Sequence, residues 1–259
     1  MVKGRERKVA AAPELCYLNG YRRTLGAGVR LDRLAGLGEP ALAETLPVAG
    51  GKPQQWRAHL ARLAEGARAL GWVPAELRVL AAVARELPRR NALADGSLRL
   101  RYWGGLRRPL LLAQTFAARP LPKTLRLITS VVRHFGPESL VARVKSNQML
   151  SNLLALAEVQ AWAEDGLRLT PDGLVAEGLW SNLVALKRGV ARTPPLALGL
   201  LEGVTRAALL ASLRRRGHVV REEPLTRYDL WTADAVWACS SLRGALRVAS
   251  VDGRDLATG

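Results

Sequence analysis

Lysine is the side chain that can condense with a carbonyl compound to form an imine. This chain holds it at only six positions, Lys3, Lys8, Lys52, Lys123, Lys145 and Lys187, and arginine supplies the rest of the 39 basic residues. Lys145 stands where a strand-like segment, Val144-Lys145-Ser146, passes into a helical pattern. Three other groups could build a site around such an amine. His59-Leu-Ala-Arg62-Leu63 carries a guanidinium on an amphipathic repeat. The run from Pro171 to Val184 puts the Glu177 carboxylate at a strand end, followed at once by Gly178 and then by Ser181-Asn182. Gly203 precedes Val204-Thr205-Arg206 at the start of a helix, where free N–H groups and the positive dipole end suit an anion. Each has a plainer reading on its own: an exposed surface arginine, a loop lysine, a solvated acid in a turn, an ordinary helix start.

The elements that must position these groups are legible from period and punctuation. Residues 15–19 and 28–31 read as short strands, with Asn19-Gly20 as a turn between them. Pro53 is expected to open a helix whose buried stripe is Trp56, Leu60, Leu63, Ala67 and Leu70. A second helix is expected from Pro74 to Leu87. Residues 97–103 and 109–116 read as strands, and Arg119-Pro-Leu-Pro-Lys123 as a boundary between domains 1–118 and 119–259. Beyond it come a strand over 125–133, a helix over 146–164 and a hairpin over 167–177 around Pro171-Asp172-Gly173. A strand over 182–187 and a helix from Gly203 to Arg216-Gly217 follow, then strands at 218–222, 234–239 and 245–249. The fold class predicted is mixed α/β in two domains, the first bearing helices and the second rich in strands.

Composition narrows the function. At 259 residues and 49% hydrophobic, the chain can bury a sizeable core. It has no apolar run of membrane-spanning length, and Val9–Pro13 is too short for a signal-peptide core. Cys16 and Cys239 are too far apart in sequence to form a metal or disulfide pattern, so no metal site and a reducing cytoplasm are expected. The net charge of +17 raises nucleic-acid binding as a rival reading. The charge is spread along the chain, however, and its densest patches, Arg214-Arg215-Arg216 and Arg89-Arg90, lack interleaved aromatics. An arginine-biased composition, or a field that gathers an anionic substrate, accounts for it without nucleic acid.

Taken in order, the set resembles the class IV aminotransferase family, the D-amino-acid and branched-chain aminotransferase-like pyridoxal-phosphate proteins. The resemblance runs from about Tyr17 to Asp255. It takes in Leu18-Asn19-Gly20, Asp32-Arg33, Glu44-Thr45-Leu46, the Arg62 helix, Lys145-Ser146, Glu177-Gly178 with Ser181-Asn182, and Gly203-Val204-Thr205-Arg206. It closes with Ala233-Asp234-Ala-Val and Val251-Asp252-Gly253-Arg254. The resemblance implies a pyridoxal 5′-phosphate enzyme and a homodimer. It implies that Lys145 is the Schiff-base lysine and that Glu177 faces the pyridine nitrogen. The Val204 and Thr205 N–H groups, the Thr205 hydroxyl and Arg62 would hold the phosphate. Ser240 and Ser241 align with a second phosphate-contacting segment in which threonine is commoner.

Within the family, the branched-chain branch carries an Asn-Tyr pair where this chain has Met149 and Leu150. The compact lyases and D-amino-acid aminotransferases read Lys-x-Leu-Asn-x-Leu, against Lys145-Ser-Asn-Gln-Met-Leu150 here. The family's Gly-Asp-Gly-aromatic-Phe-Glu-Thr becomes Gly38-Glu-Pro-Ala-Leu-Ala-Glu44-Thr45, without an aromatic residue. A short, strongly basic chain suits a dianionic chorismate derivative, and the resemblance is nearest to the 4-amino-4-deoxychorismate lyases of folate biosynthesis. A small class IV aminotransferase, of D-amino-acid or branched-chain type, is the alternative.

Overall fold

Alternation in residues 97–103 sets leucines on one face of a strand, and that strand is the middle of a sheet. The computed structural model describes residues 15–18, 21–24, 40–107, 109–139 and 144–257. In chain order the first sheet contains β1 (Leu15–Leu18), β2 (Tyr21–Thr24), β3 (Leu42–Ala49), β4 (Lys52–Pro53), β5 (Gly96–Trp103) and β6 (Leu110–Ala117). Their spatial order is β2-β1-β6-β5-β3-β4. β5 pairs antiparallel with β3 from Leu42↔Tyr102 to Val48↔Gly96, and with β6 from Gly96↔Ala117 to Trp103↔Leu110. Helices α1 (Trp56–Ala69) and α2 (Leu77–Arg90) belong to the same half. Their stripes, Leu60, Leu63 and Ala67 with Leu80, Val83 and Leu87, share one core with Leu42, Leu46, Leu98 and Leu100.

The second sheet begins where the proline-rich segment 119–123 ends. It contains β7 (Thr124–Thr129), β8 (Asp165–Leu169), β9 (Val175–Gly178), β10 (Asn182–Lys187), β11 (Val190–Thr193), β12 (Val219–Glu222), β13 (Ala235–Ser240), β14 (Gly244–Val251) and β15 (Arg254–Asp255). The order is β12-β11-β10-β13-β14-β7-β8-β9, with β15 on β14. β7 lies parallel to both β14 and β8. Helices α3 (Leu150–Val159), α4 (Val204–Arg215) and α5 (Arg227–Trp231) and a 3-10 turn at Leu196–Leu198 complete this half. The mixed α/β class is as expected. No helix among the described residues is long and apolar enough to cross a membrane.

Several elements depart from expectation for physical reasons. Pro53 does not open α1. It lies in β4, which folds back on β3 through Gly50 and Gly51, both at positive φ, and a proline is tolerated on such an edge strand. The helix begins only after Gln55, itself left-handed at φ 48. α2 starts at Leu77, after Pro74, and runs on through Pro88 to Arg90. β7 stops at Thr129, short of residue 133. The helix expected from 146 begins at Leu150 and ends at Val159, because the residues before it are hydrogen-bonded elsewhere. β3, β11, α5 and the 3-10 turn were not anticipated. The strand expected at 28–31, the Asn19-Gly20 turn and Asp32-Arg33 lie outside the described residues.

Leu100 is fully buried in this core, whereas Leu70 at the end of α1 is 37% exposed. Leu100→Ala is expected to cost about 2–5 kcal/mol, and Leu70→Ala no more than about 0.5 kcal/mol. Urea unfolding of the two variants checks the assignment, and equal losses would contradict it.

Candidate active site

The segment carrying Lys145 is held by the first sheet. Ala43 N–H donates to the Lys145 carbonyl at 2.9 Å, and Asn147 N–H to the Ala41 carbonyl at 2.9 Å. Ala41 N–H donates in turn to Asn147 Oδ1 at 2.8 Å. These bonds occupy backbone groups that a helix would need, and they fix Lys145 at the junction of the two halves. Its amine has no hydrogen-bond partner among the described residues. Loss of hydration pushes its basicity below that of an ordinary lysine. The Arg62 charge adds to that, and the carboxylates of Glu44 and Glu177 oppose it.

Glu177 sits on β9, opposite Arg168 on β8. Its Oε2 accepts from Asn182 Nδ2 at 3.0 Å, and Asn182 Nδ2 also reaches the Leu201 carbonyl at 3.1 Å. This contact gives the two nearby glycines a stated purpose. A Cβ on Gly203 would lie 1.9 Å from Asn182 Oδ1, and one on Gly178 would lie 2.3 Å from Ser181 Oγ. Ser181 Oγ donates to Asp165 Oδ2 at 3.0 Å. Asp165 also accepts from the Gly166 and Leu179 N–H groups and from Arg243 at 3.2 Å. The Glu-Gly-x-x-Ser-Asn spacing and the later glycine thus form one packed unit. Gly203 caps α4, so Val204 and Thr205 are its first two residues. Their N–H groups have no partner one turn back in the helix.

A second cluster supports the arginine. Glu44 is 1% exposed. It accepts from Arg62 Nε at 2.7 Å and Nη2 at 2.8 Å, and from His59 Nδ1 at 2.8 Å. Burial pushes its carboxyl upward, but the His59 and Arg62 bonds outweigh that and hold it below the ordinary range. Arg62 Nη1 donates to the Glu202 carbonyl at 2.6 Å, which leaves terminal N–H groups free for an anion. His59 Nε2 lies 3.4 Å from Ser241 Oγ.

All seven residues singled out from the sequence, Arg62, Lys145, Glu177, Val204, Thr205, Ser240 and Ser241, line one cavity of about 760 Å³. Glu44, Arg99, Arg101, Arg119, His134, Arg168 and Asn182 join them. Of these, Glu44 and Asn182 belong to stretches already noted, with no role attached. His134 is one of only three histidines, and that rarity was the available signal. Arg99, Arg101 and Arg119 have no ion pair with any described residue. Loss of hydration, then repulsion from Arg101 and Arg119, lowers the basicity of Arg99. Cys239 also lines the cavity, but burial pushes its thiol up to about 12, so it is not a nucleophile here. No group of three metal-ligating side chains occurs among the described residues.

The family model for amino-transferase class IV matches residues 41–251. The chain belongs to that family. It is an enzyme family that depends on pyridoxal 5′-phosphate. A Methanocaldococcus jannaschii protein provisionally named branched-chain-amino-acid aminotransferase is 30% identical over 210 residues, 76% of this chain and 73% of its own length. The D-alanine aminotransferase of Bacillus licheniformis is 29% identical over 216 residues, 78% of this chain and 75% of its own. A solved structure from Legionella pneumophila, provisionally named 4-amino-4-deoxychorismate lyase, is 26% identical. It superposes with a TM-score of 0.79 over 85% of each chain.

Two outcomes follow from this geometry. Gly203→Ala should cost about 1–3 kcal/mol, and much less in an Asn182→Ala background, where the clashing oxygen is gone. Additive losses in that double-mutant cycle would contradict the packing. For Lys145, a lowered basicity means the neutral amine appears at lower pH than in a free lysine. The rate at which an amine-directed reagent labels Lys145 should therefore rise at correspondingly lower pH. Glu177→Gln removes a charge that favours the ammonium form, so the rise should move lower still, and a move upward would refute the electrostatic account.

Proposed function

We propose that this chain is a pyridoxal-phosphate-dependent 4-amino-4-deoxychorismate lyase that releases pyruvate and 4-aminobenzoate in folate biosynthesis, acting as a cytoplasmic homodimer. The observation that carries the substrate class is the trio Arg99, Arg101 and Arg119, which lines the cavity without acidic partners among the described residues. Guanidinium groups of that kind suit a ligand with more than one carboxylate. The provisional name of the Legionella relative supports the same reading.

The donor set fits the cofactor. An amine of lowered basicity serves its aldehyde, a carboxylate its ring nitrogen, and a glycine-capped helix start with a guanidinium and hydroxyls its phosphate. When bound, the cofactor supplies an aldehyde that captures amines and a ring that withdraws electrons. In our reading the Val204 and Thr205 N–H groups, the Thr205 hydroxyl and the free N–H groups of Arg62 bind the phosphate, with Ser240 and Ser241 beside them. The Glu177 carboxylate keeps the ring nitrogen protonated, and Asn182 holds that carboxylate in place. Lys145 is the Schiff-base lysine. Its free amine would take the proton from the substrate carbon that bears the amino group. The electrons left behind aromatise the substrate ring as the enolpyruvyl group departs, and a proton delivered to that group makes pyruvate. Arg99, Arg101 and Arg119 hold the substrate carboxylates through these steps.

The alternative is a small class IV aminotransferase acting on D- or branched-chain amino acids, and the Methanocaldococcus and Bacillus relatives favour it. One assay separates the two. Incubated with aminodeoxychorismate and no keto acid, the cofactor-loaded protein should form equal amounts of pyruvate and 4-aminobenzoate. Lys145→Ala should form neither, and borohydride followed by peptide mapping should label Lys145 in the wild type. Turnover that requires a keto-acid acceptor, with no 4-aminobenzoate, would replace the lyase with the aminotransferase.

A further inference from the structure

The contacts of His134 balance only if an extra proton is present. Its Nδ1 lies 2.8 Å from the Phe135 carbonyl oxygen. A carbonyl oxygen only accepts, so Nδ1 carries a hydrogen. Its Nε2 lies 3.2 Å from Glu177 Oε1. In the neutral ring with Nδ1–H, Nε2 would present a lone pair to a carboxylate oxygen that also has only lone pairs. Such a contact is repulsive, and a proton between the two makes it a charge-assisted hydrogen bond.

That proton has two possible owners, His134 and Glu177. Glu177 Oε2 already accepts from Asn182 Nδ2 at 3.0 Å, and donation to a carboxyl favours its ionised form. Imidazole is also the stronger base of the two in general. The His134 side chain is 2% exposed, so an imidazolium there is held by Glu177 and not by water. Among the described residues, the other charges facing the pair are cations. Arg168 lies opposite Glu177 in the β8–β9 register. It reaches Asn152 Oδ1 at 3.0 Å and the Arg133 carbonyl at 2.6 Å, and its buried Nε has no hydrogen-bond partner among the described residues. Lys145 lines the same cavity and interacts electrostatically with Glu177. A cation on His134 among these neighbours depends on the Glu177 carboxylate.

We infer that His134 is a positioning residue, held as an imidazolium by Glu177, that steers this carboxylate and partly offsets the charge it presents to the cofactor ring nitrogen. The inference rests on the reading of Glu177 as the partner of that nitrogen. Asn182 and His134 grip the two oxygens of Glu177 from different elements, which leaves the carboxylate one orientation. Because a cation backs the anion, the ring nitrogen meets a weaker negative field than an isolated buried carboxylate would provide.

The test uses the full chain with 15N-labelled histidine, with and without pyridoxal 5′-phosphate. His134→Gln assigns the His134 signals. In the wild-type chain without cofactor, at neutral pH, both ring nitrogens of His134 should resonate as protonated. In Glu177→Gln they should become those of the neutral Nδ1–H form. A neutral His134 in the wild type would overturn the inference, since the shared proton would then belong to Glu177. In cofactor-loaded His134→Gln, loss of the nearby cation should keep the ring nitrogen protonated to a pH higher by about one unit, read from 15N-labelled cofactor. An unchanged or lower midpoint would overturn the charge-offsetting role. If His134→Gln does not fold, a His218→Gln variant and the His59 signal complete the assignment, and the wild-type spectra decide the question. Failure of pyridoxal phosphate to bind counts against the Lys145 reading, while the cofactor-free spectra still decide where the proton sits.

Discussion

A carboxylate buried to 1% exposure does much of the work of joining the two halves. Glu44 lies on β3, and both of its oxygens are taken by side chains of α1. Arg62, so gripped, spans to the Glu202 carbonyl just before α4. His59 reaches Ser241 after β13. One anion thereby sets the position of a guanidinium, a hydroxyl and a helix start that come from distant parts of the chain. Breaking such a buried pair by removing one partner typically costs about 3–5 kcal/mol, because an unpaired charge stays behind. The arrangement also explains how an arginine can be both rigid and available. Its inner N–H groups bond to Glu44, one terminal N–H bonds to the Glu202 carbonyl, and the remaining terminal N–H groups can meet an anion.

The second joint is made of backbone. Residues 145–147 could have continued into α3, and their sequence reads that way. Instead they exchange hydrogen bonds with Ala41 and Ala43 at the start of β3. A helix there would leave those β3 groups unsatisfied at a buried junction, at about 1–3 kcal/mol each. Lys145 is thus displayed from an irregular segment sewn to a sheet. This long-range pairing separates partners by more than 100 residues, so no local pattern in the sequence could reveal it.

The legible part of the chain was the part decided by neighbours in sequence. The α1 stripe from Leu60 to Ala67, though not its expected end at Leu70, the β8–β9 hairpin around Pro171-Asp172-Gly173, and the α4 helix between Gly203 and Gly217 follow from period and punctuation. The illegible part was decided by distant partners. β3 holds Pro47 and few β-branched residues, yet it is a strand because β5 pairs with it from Leu42 to Val48. Pro53 looked like a helix opener, but two positive-φ glycines turn the chain and place it on an edge. The candidate residues carried by ordered motifs could be picked out, since a glycine after a carboxylate or before a helix leaves a trace. His134 left none beyond its rarity, because its significance comes from which atoms flank each ring nitrogen.

The high positive charge divides along the same line. Some arginines are structural: Arg206, 4% exposed, ties α4 to Thr193, the Pro194 carbonyl and Glu222, and Arg192 joins Glu223 to Asp229. Arg243 serves Asp165. These spend their charge on a partner and contribute little field outside. Around the cavity the balance differs. Among the described residues, Glu44 and Glu177 share the cavity with Arg62, Arg99, Arg101, Arg119, Arg168 and Lys145, an excess of cations that these two carboxylates do not cancel. Concave walls of low dielectric concentrate such a field. Loss of hydration is the larger cause of the lowered basicity of Arg99, and repulsion from Arg101 and Arg119 adds to it. An anionic ligand would relieve that repulsion. A phosphate at the start of α4 and carboxylates at the arginine trio would each neutralise part of that excess within one cavity, which is the charge pattern of the cofactor and substrate proposed above.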